Sequence, residues 1–418
     1  MYSRICKNCG KPYTGTGKDF CSHACYVESR WGKPKGTVSN NQESIPTEEI
    51  TPELVQQRIE LRKAELAARA EKMEISRMIG DKAAREIFKE TILEAASLIQ
   101  VEPYKLKPAE IVHEKRKPEL VVLLSISDVH FLKEVLPSEI LNFGGYNREI
   151  FDKRLKNYEN GVCAWIEILR TAFTIRKLAI AYKGDLADGL EVFPGQRTYQ
   201  IYDFMKQLFV GGKIFAELEI RLLQRLALDM IYTLSVKGNH GILGGRKGKE
   251  EHNTGNLDWG FCTYKNTYKQ AVLGKKQYKK HFKDEVSDSE FAVMGIEGWN
   301  NLIAHGDQIR MHYSIPYYGL DKFTTSTFSM TTQPLHNVYI GHFHASASLP
   351  NPRGKTYING NWVGLDKYSV RGSYWGSRMP TQKMTVFHRK RGVICDIDIQ
   401  LDDNPKEKFE VLPIFEVS

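Results

Sequence analysis

Five short apolar runs in this chain each lead into residues of the kind that hold metal ions. "LVVLLSIS" is followed by Asp128 and His130, "RKLAIAYKG" by Asp185 and Asp188, and "DMIYTLSVKG" by Asn239 and His240. "NLIAHG" carries His305, and "HNVYIGH" carries His342 with His344 just beyond it. Taken singly, an Asp-x-His or a Gly-Asn-His-Gly is more often a turn than a ligand pair. Arrayed in this order they offer carboxylate, amide and imidazole together, a mixture that suits two divalent cations of the manganese, iron or zinc kind. Such a pair polarises substrate oxygens and acidifies water held between the ions, which is the chemistry of hydrolysis.

Something must bring those residues to one place. The runs are of strand length, and stretches of helical character separate them. Buried strands joined by crossover helices, with polar residues at their carboxyl ends, describe an α/β layered fold whose site lies along one sheet edge. Asp128 and His130, two apart, can point to one side of an extended segment. In "KGDLADGLEVFPGQ", Asp185 and Asp188 stand three apart in a glycine-flanked loop directly after "LAIAY".

The start of the chain has a different character. Cys6, Cys9, Cys21 and Cys25 form C-x2-C, eleven residues, then C-x3-C. Two thiolate pairs at that spacing can chelate one tetrahedral zinc, and a module this small needs such a staple to fold. The other three of seven cysteines stand alone, and an odd count argues for a metal site over a disulfide framework. We therefore expect a zinc-binding module over 1–32, a Gly/Pro/Ser/Asn-rich linker over 33–50, and a helical arm and connector over 51–118. Thr51 would cap that arm and Pro52 would open it. A layered domain over 119–400 and a C-terminal tail over 401–418 complete the expected organisation. Lysine and arginine outnumber acids by 59 to 50, a net +9 that leans mildly towards nucleic acid. No run of 18 or more apolar residues occurs, and the opening residues lack an apolar signal core, so a cytoplasmic chain without a membrane span is expected.

The series DxH, GDxxD, GNH, H, GHxH resembles the calcineurin-like metallophosphoesterase superfamily over roughly residues 120–385. That resemblance implies a layered metallophosphoesterase β-sandwich flanked by helices, here with an N-terminal zinc ribbon and helical arm. It implies Asp128, His130 and His344 as ligands of one metal, Asn239, His305 and His342 as ligands of the other, and Asp185 as the bridge. A shared carboxylate meets a physical need, because two cations about 3.5–4 Å apart repel. His240 would bind no metal but stand near the leaving oxygen as acid or charge stabiliser, oriented by Asp188. One position departs from the pattern. Most members carry Asp or Glu after the GNH triplet, whereas Gly241 stands here, so part of the usual support is missing or supplied from elsewhere.

The substrate must be read from the surroundings. Protein phosphatases of the superfamily extend the motifs to GDxxDRG and GNHE, and Gly189 and Gly241 stand at those places here. "DGLEVFPGQ" resembles the small subunit of archaeal D-family DNA polymerase, itself related to Mre11/SbcD-like nucleases. "NGNWVGLDKYS" looks similar to phage putative DNA-repair phosphoesterases. Residues 263–283 interleave Lys265, Lys269, Lys275, Lys276, Lys279, Lys280 and Lys283 with Tyr264, Tyr268, Tyr278 and Phe282. Lysines neutralise backbone phosphates and aromatic faces stack on unpaired bases, so the stretch suits nucleic acid near the site, with Lys275, Lys276, Lys279 and Lys280 as contacts. The expected function is a two-metal phosphodiesterase acting on nucleic acid, a DNA exo- or endonuclease of repair or phage type. It would use two divalent ions, manganese first with iron or zinc as alternatives, and one structural zinc. A protein partner could dock on the zinc module or arm. The alternatives are a small-nucleotide phosphodiesterase or phosphoprotein phosphatase, and then a non-catalytic scaffold, which the complete ligand set disfavours.

Overall fold

The computed structural model describes residues 4–6, 12–13, 86, 89–94, 117–140, 144–189, 204–241, 256–309, 317–332, 334–371 and 379–403. The chain divides into two compact units, Met1–Met73 and Glu74–Ser418. In the first, strands β1 (Arg4–Ile5) and β2 (Pro12–Tyr13) pair antiparallel, and Cys6, directly after β1, is buried. Cys9, Cys21 and Cys25 lie outside the described residues, as do the linker, most of the expected arm, the "FPGQ" segment and the end of the tail.

The second unit is built on two sheets. The larger has the order β13-β12-β3-β4-β5-β6, from β3 (Glu119–Ile126), β4 (Thr174–Lys183), β5 (Met230–Val236), β6 (Phe282–Val286), β12 (Thr381–His388) and β13 (Gly392–Gln400). Strands β3 to β6 run parallel, and β12 and β13 add an antiparallel edge. The smaller has the order β10-β11-β9-β8-β7, from β7 (Phe291–Ile296), β8 (Trp299–Ala304), β9 (Asn337–Ile340), β10 (Ala347–Asn351) and β11 (Gly354–Ile358).

Strand β3 shows why the sheets stack. Its Leu120, Val122, Leu124 and Ile126 join one core cluster, while Val121 and Leu123 join another. Alternate residues of a strand point to opposite faces, so a strand buried on both faces reads as a continuous apolar run. Helices cover the first face. α1 (Arg148–Arg170) begins where Asn147 accepts the Ile150 N–H at 2.9 Å, and buries Phe151, Leu155, Tyr158, Val162 and Ile166. That spacing draws one apolar stripe along a helix. α2 (Phe204–Arg225) and α3 (Leu257–His281) add Phe215, Leu218, Phe261 and Leu273 to the same core. On the second face, Val121, Ala179 and Leu234 meet Ile303, Tyr339 and Tyr357 of the smaller sheet. α4 (Tyr317–Met330) closes that sheet's outer side through Leu320 and Phe323. The second unit is thus a layered β-sandwich flanked by helices, as expected for the layered domain, and all five apolar runs are strands.

One expectation needs correction. The strands that lead to the candidate ligands do not share one sheet edge: β3, β4 and β5 belong to the larger sheet, β8 and β9 to the smaller. The carboxyl ends of both meet, because the buried Lys183 at the end of β4 donates to the Ile340 carbonyl at the end of β9 at 3.0 Å. In the expected arm, Ile92 is buried in one cluster with Ala187, Leu208, Leu257 and Tyr264, so this part of it packs into the second unit.

Candidate metal centre

The loops that leave β3, β4 and β9 are strained. Asp128 (φ 54°), His130 (φ 45°), Asp185 (φ 51°), His342 (φ 66°) and His344 (φ 55°) all hold left-handed backbone. For residues other than glycine that conformation is uncommon, and it persists only where the surroundings over-determine it. Here close approach does so. A Cβ on Gly238 would stand 2.2 Å from Asp185 Oδ1, and one on Gly341 would stand 2.5 Å from Asp128 Oδ2, so only glycine lets these loops pass the carboxylates.

Among the described residues, three groups could hold a metal ion: Asp128, His130 and His344; His130, Asp185 and His240; and Asp185, His305 and His342. Asp185 belongs to two of them. His130 donates Nδ1–H to Asp188 Oδ1 at 3.1 Å, which turns its Nε2 towards His344 Nε2, 3.3 Å away. Asp128 Oδ1 lies 3.4 Å from that same His344 nitrogen. On the other side His305 donates Nδ1–H to the Lys183 carbonyl at 2.7 Å, leaving Nε2 at 3.0 Å from Asn239 Oδ1 and 3.1 Å from Asp185 Oδ2. A partner on one ring nitrogen fixes the tautomer and frees the other nitrogen to bind.

The site's electrostatics point the same way. Burial lowers His130 to about 4, with the charge of His240 adding to it, and burial with the charge of His305 lowers His342 to about 3. Both rings are therefore neutral near pH 7, as ligation requires. Burial would lower His305 too, but the charge and hydrogen bond of Asp185 outweigh it and raise that ring to about 10. Burial would raise Asp128, yet the hydrogen bond and charge of His344 bring it down to about 2. In the chain alone these carboxylates draw a proton onto the site; divalent cations would meet the same demand, and the mixed N/O donor set fits them.

His240 stands at the side. Its backbone N–H donates to Asp185 Oδ1 at 2.8 Å, its Nδ1 lies 3.2 Å from the Asp188 carbonyl and 3.6 Å from Asp188 Oδ1, and its side chain is 18 % exposed. Asp188 therefore backs two histidines, with the shorter carboxylate contact going to His130 rather than to His240.

Several supporting residues escaped the sequence reading. Asp258, in the first turn of α3, accepts from the backbone of the Asp185 loop and of Gly238. Ser127 donates to Asp128 Oδ2 at 2.5 Å and is held by Asn359 and Gln382. Trp362 N–H donates to the Asp128 carbonyl at 3.0 Å. Much of the "NGNWVGLDKYS" segment thus braces the Asp128 loop, and Arg154 ties it down by donating to the Trp362 and Val363 carbonyls while pairing with Asp402.

The basic aromatic stretch divides in two. Lys265 and Lys269 are fully buried and pair with Glu219, and Tyr264, Tyr268 and Phe282 are buried as well. That half is core and offers no surface to nucleic acid. Lys275, Lys276, Lys279 and Lys280 are exposed, beyond the non-helical Gly274. They precede Phe282, which pairs with Ile231 at the start of β5, whereas Asn239 and His240 follow the end of that strand. Eight residues of extended chain separate the two ends, on the order of 25 Å. The expectation that these lysines lie near the site is therefore corrected: α3 begins at the site and runs away from it.

No family model matches the chain, and no curated protein matches it. Among solved structures it is similar to an archaeal phosphodiesterase at 12 % identity and a TM-score of 0.29, over 66 % of this chain and 99 % of that one. It is similar to zinc-complexed Vps29 of Entamoeba histolytica at 13 % identity and a TM-score of 0.26, over 66 % and 99 %. The YfcE phosphoesterase of E. coli matches at 12 % identity and a TM-score of 0.25, over 66 % and 99 %. No helix among the described residues is long and apolar enough to cross a membrane.

Proposed function

We propose that this chain is a two-metal phosphodiesterase of the calcineurin-like superfamily acting on nucleic acid, with DNA as its first candidate substrate. The observation that carries the reading is Asp185, a buried carboxylate that lies within reach of His130 and His240, which follow strands of the larger sheet, and of His305 and His342, which follow strands of the smaller. Asp128, His130 and His344 would hold one ion and Asn239, His305 and His342 the other. When bound, such ions supply Lewis-acid polarisation of the phosphoryl oxygens and a nucleophile at neutral pH. The protein's part is orientation. Asp188 fixes the His130 ring, the Lys183 carbonyl fixes His305, and His240 keeps its partly exposed ring at the edge, where it can give a proton to the leaving oxygen. The four N-terminal cysteines would hold one structural zinc, in a module that recruits DNA or a protein partner.

The test uses the purified full chain with manganese on single-stranded DNA, duplex DNA, RNA, bis-p-nitrophenyl phosphate and p-nitrophenyl phosphate. Hydrolysis of DNA and of the small diester, abolished by chelator, is expected. Activity on the monoester alone would replace this reading with a phosphatase. Bound metal without any hydrolysis would favour a scaffold.

A second reading, a phosphodiesterase of small nucleotides, is favoured by the distance of the exposed lysines from the site. A salt series separates the two. Changing Lys275, Lys276, Lys279 and Lys280 together to glutamine is expected to raise KM on long DNA and flatten its salt dependence by up to about 0.9 per lost phosphate contact, while bis-p-nitrophenyl phosphate turnover holds. An unchanged salt slope removes these lysines from the substrate path and leaves the small-nucleotide reading ahead.

A further inference from the structure

The carboxylate of Asp258 is 1 % exposed and receives four backbone N–H groups. Oδ1 accepts from Leu186 at 2.9 Å and Ala187 at 3.2 Å; Oδ2 accepts from Asp185 at 2.8 Å and Gly238 at 2.9 Å. An ionised carboxylate has about four acceptor sites, so its capacity is filled. Two of these donors belong to Asp185 itself and to the residue beside Asn239. One side chain therefore joins the loop after β4 to the loop after β5, at the point where each presents a ligand.

Its neighbours complete a clamp. Asn256 caps α3 by accepting the Asp258 N–H at 2.8 Å and donates Nδ2–H to the Gly238 carbonyl at 3.1 Å, while Leu257 N–H donates to the Gly241 carbonyl at 2.7 Å. Gly241 leaves the room this requires: a Cβ there would stand 2.6 Å from Asn256 Oδ1 and 3.2 Å from Asp258 Cγ. The acid that the motif lacks at position 241 has its space filled from the next helix.

We propose that Asp258 is a positioning residue of the metal centre, which sets the Asp185 loop against the Asn239 loop and takes the part of the missing acid. This rests on the two-metal reading of the same site. An amide in its place could accept only half of the four donors and would turn its NH2 against the rest. The two loops would then lose their common anchor.

The experiment compares the full-length wild type with Asp258→Asn. Manganese affinity is measured by calorimetry, melting with chelator and with saturating manganese, and kcat and KM on bis-p-nitrophenyl phosphate. Asp258→Asn is expected to weaken manganese binding and kcat by about ten- to a hundredfold each, with KM changed less than about threefold, and to lose part of the stabilisation that manganese gives. A merely structural residue would lower both melting points equally and leave affinity and kcat of the folded protein unaltered, and that result overturns the proposal. Should Asp258→Asn not fold, Asn256→Ala, which keeps the carboxylate but loosens the clamp, is expected to lose affinity in the same direction by about three- to tenfold; wild-type affinity and kcat in it overturn the proposal. A wild type that binds no manganese overturns both this inference and the function it rests on, whereas an active, metal-bound wild type matched by Asp258→Asn overturns this one alone.

Discussion

Asp185→Asn is expected to abolish diester hydrolysis and to lower manganese stoichiometry from two towards one or none. The carboxylate lies within reach of two ligand groups, with Oδ2 at 3.1 Å from His305 Nε2 and Oδ1 accepting the His240 N–H at 2.8 Å. A neutral amide cannot offset two cations held about 3.5–4 Å apart. Metal stabilisation of the transition state is worth several kcal/mol, so the rate should fall by about 10³-fold or more. Calorimetric stoichiometry and turnover of bis-p-nitrophenyl phosphate check both halves. Two ions bound with wild-type affinity would remove Asp185 from the bridge.

The companion variant divides the roles of the two acids. Asp188 holds the His130 ring at 3.1 Å and stands 3.6 Å from His240 Nδ1, so in the proposed two-metal reading it would support one ligand and one proton donor and bind no ion itself. Burial would raise its carboxyl, and the hydrogen bonds of His130 and His240 hold it well below the usual range. Asp188→Asn should therefore keep two ions, lose about ten- to a hundredfold in rate, and weaken most the ion that His130 binds. Equal loss of stoichiometry in the two variants would mean that both acids ligate.

The ligand series was legible because burial and chemistry change at the same residue. An apolar run that must be a strand ends, and within one to four positions a carboxylate, amide or imidazole follows. Which sheet each strand joins was not legible. β8 pairs parallel with β9 as β3 does with β4, so the local patterns are alike. The β12 and β13 pair also escaped notice, because β12 buries Gln382 and Lys383 among its apolar residues; Gln382 accepts the Ser127 N–H at 3.0 Å, and Lys383 pairs with Asp396 at 2.9 Å. Asp258 carries a faint signal, an Asn two residues before it that caps a helix, but nothing local says that its carboxylate reaches back to Asp185. Lys265 and Lys269 misled for the same reason, since their partner Glu219 lies 46 and 50 residues away.

That partner supports the second large effect, on stability. Glu219 is fully buried between α2 and α3, receives Lys265 Nζ and the Tyr182 hydroxyl at 2.6 Å each, and also receives Lys269. Asp284 completes the network, taking Lys269 Nζ at 2.9 Å, Thr233 at 2.6 Å and Tyr278 at 2.7 Å. Two ammonium groups face two carboxylates, so the buried charge balances. Glu219→Gln leaves one positive charge uncompensated out of water, which costs about 3–5 kcal/mol when one partner of a buried pair is removed. For a unit of this size that is a fall in melting temperature of about 4–7 °C. Removing Lys265 as well restores the balance, because Lys269 keeps Asp284. The double variant Glu219→Gln, Lys265→Met should therefore regain more than half of the lost stability, a coupling that a thermal-melt double-mutant cycle reads directly. Additive losses would mean that the two side chains act independently. They would also reopen the question of why the sequence places two lysines, four residues apart, on the buried side of α3.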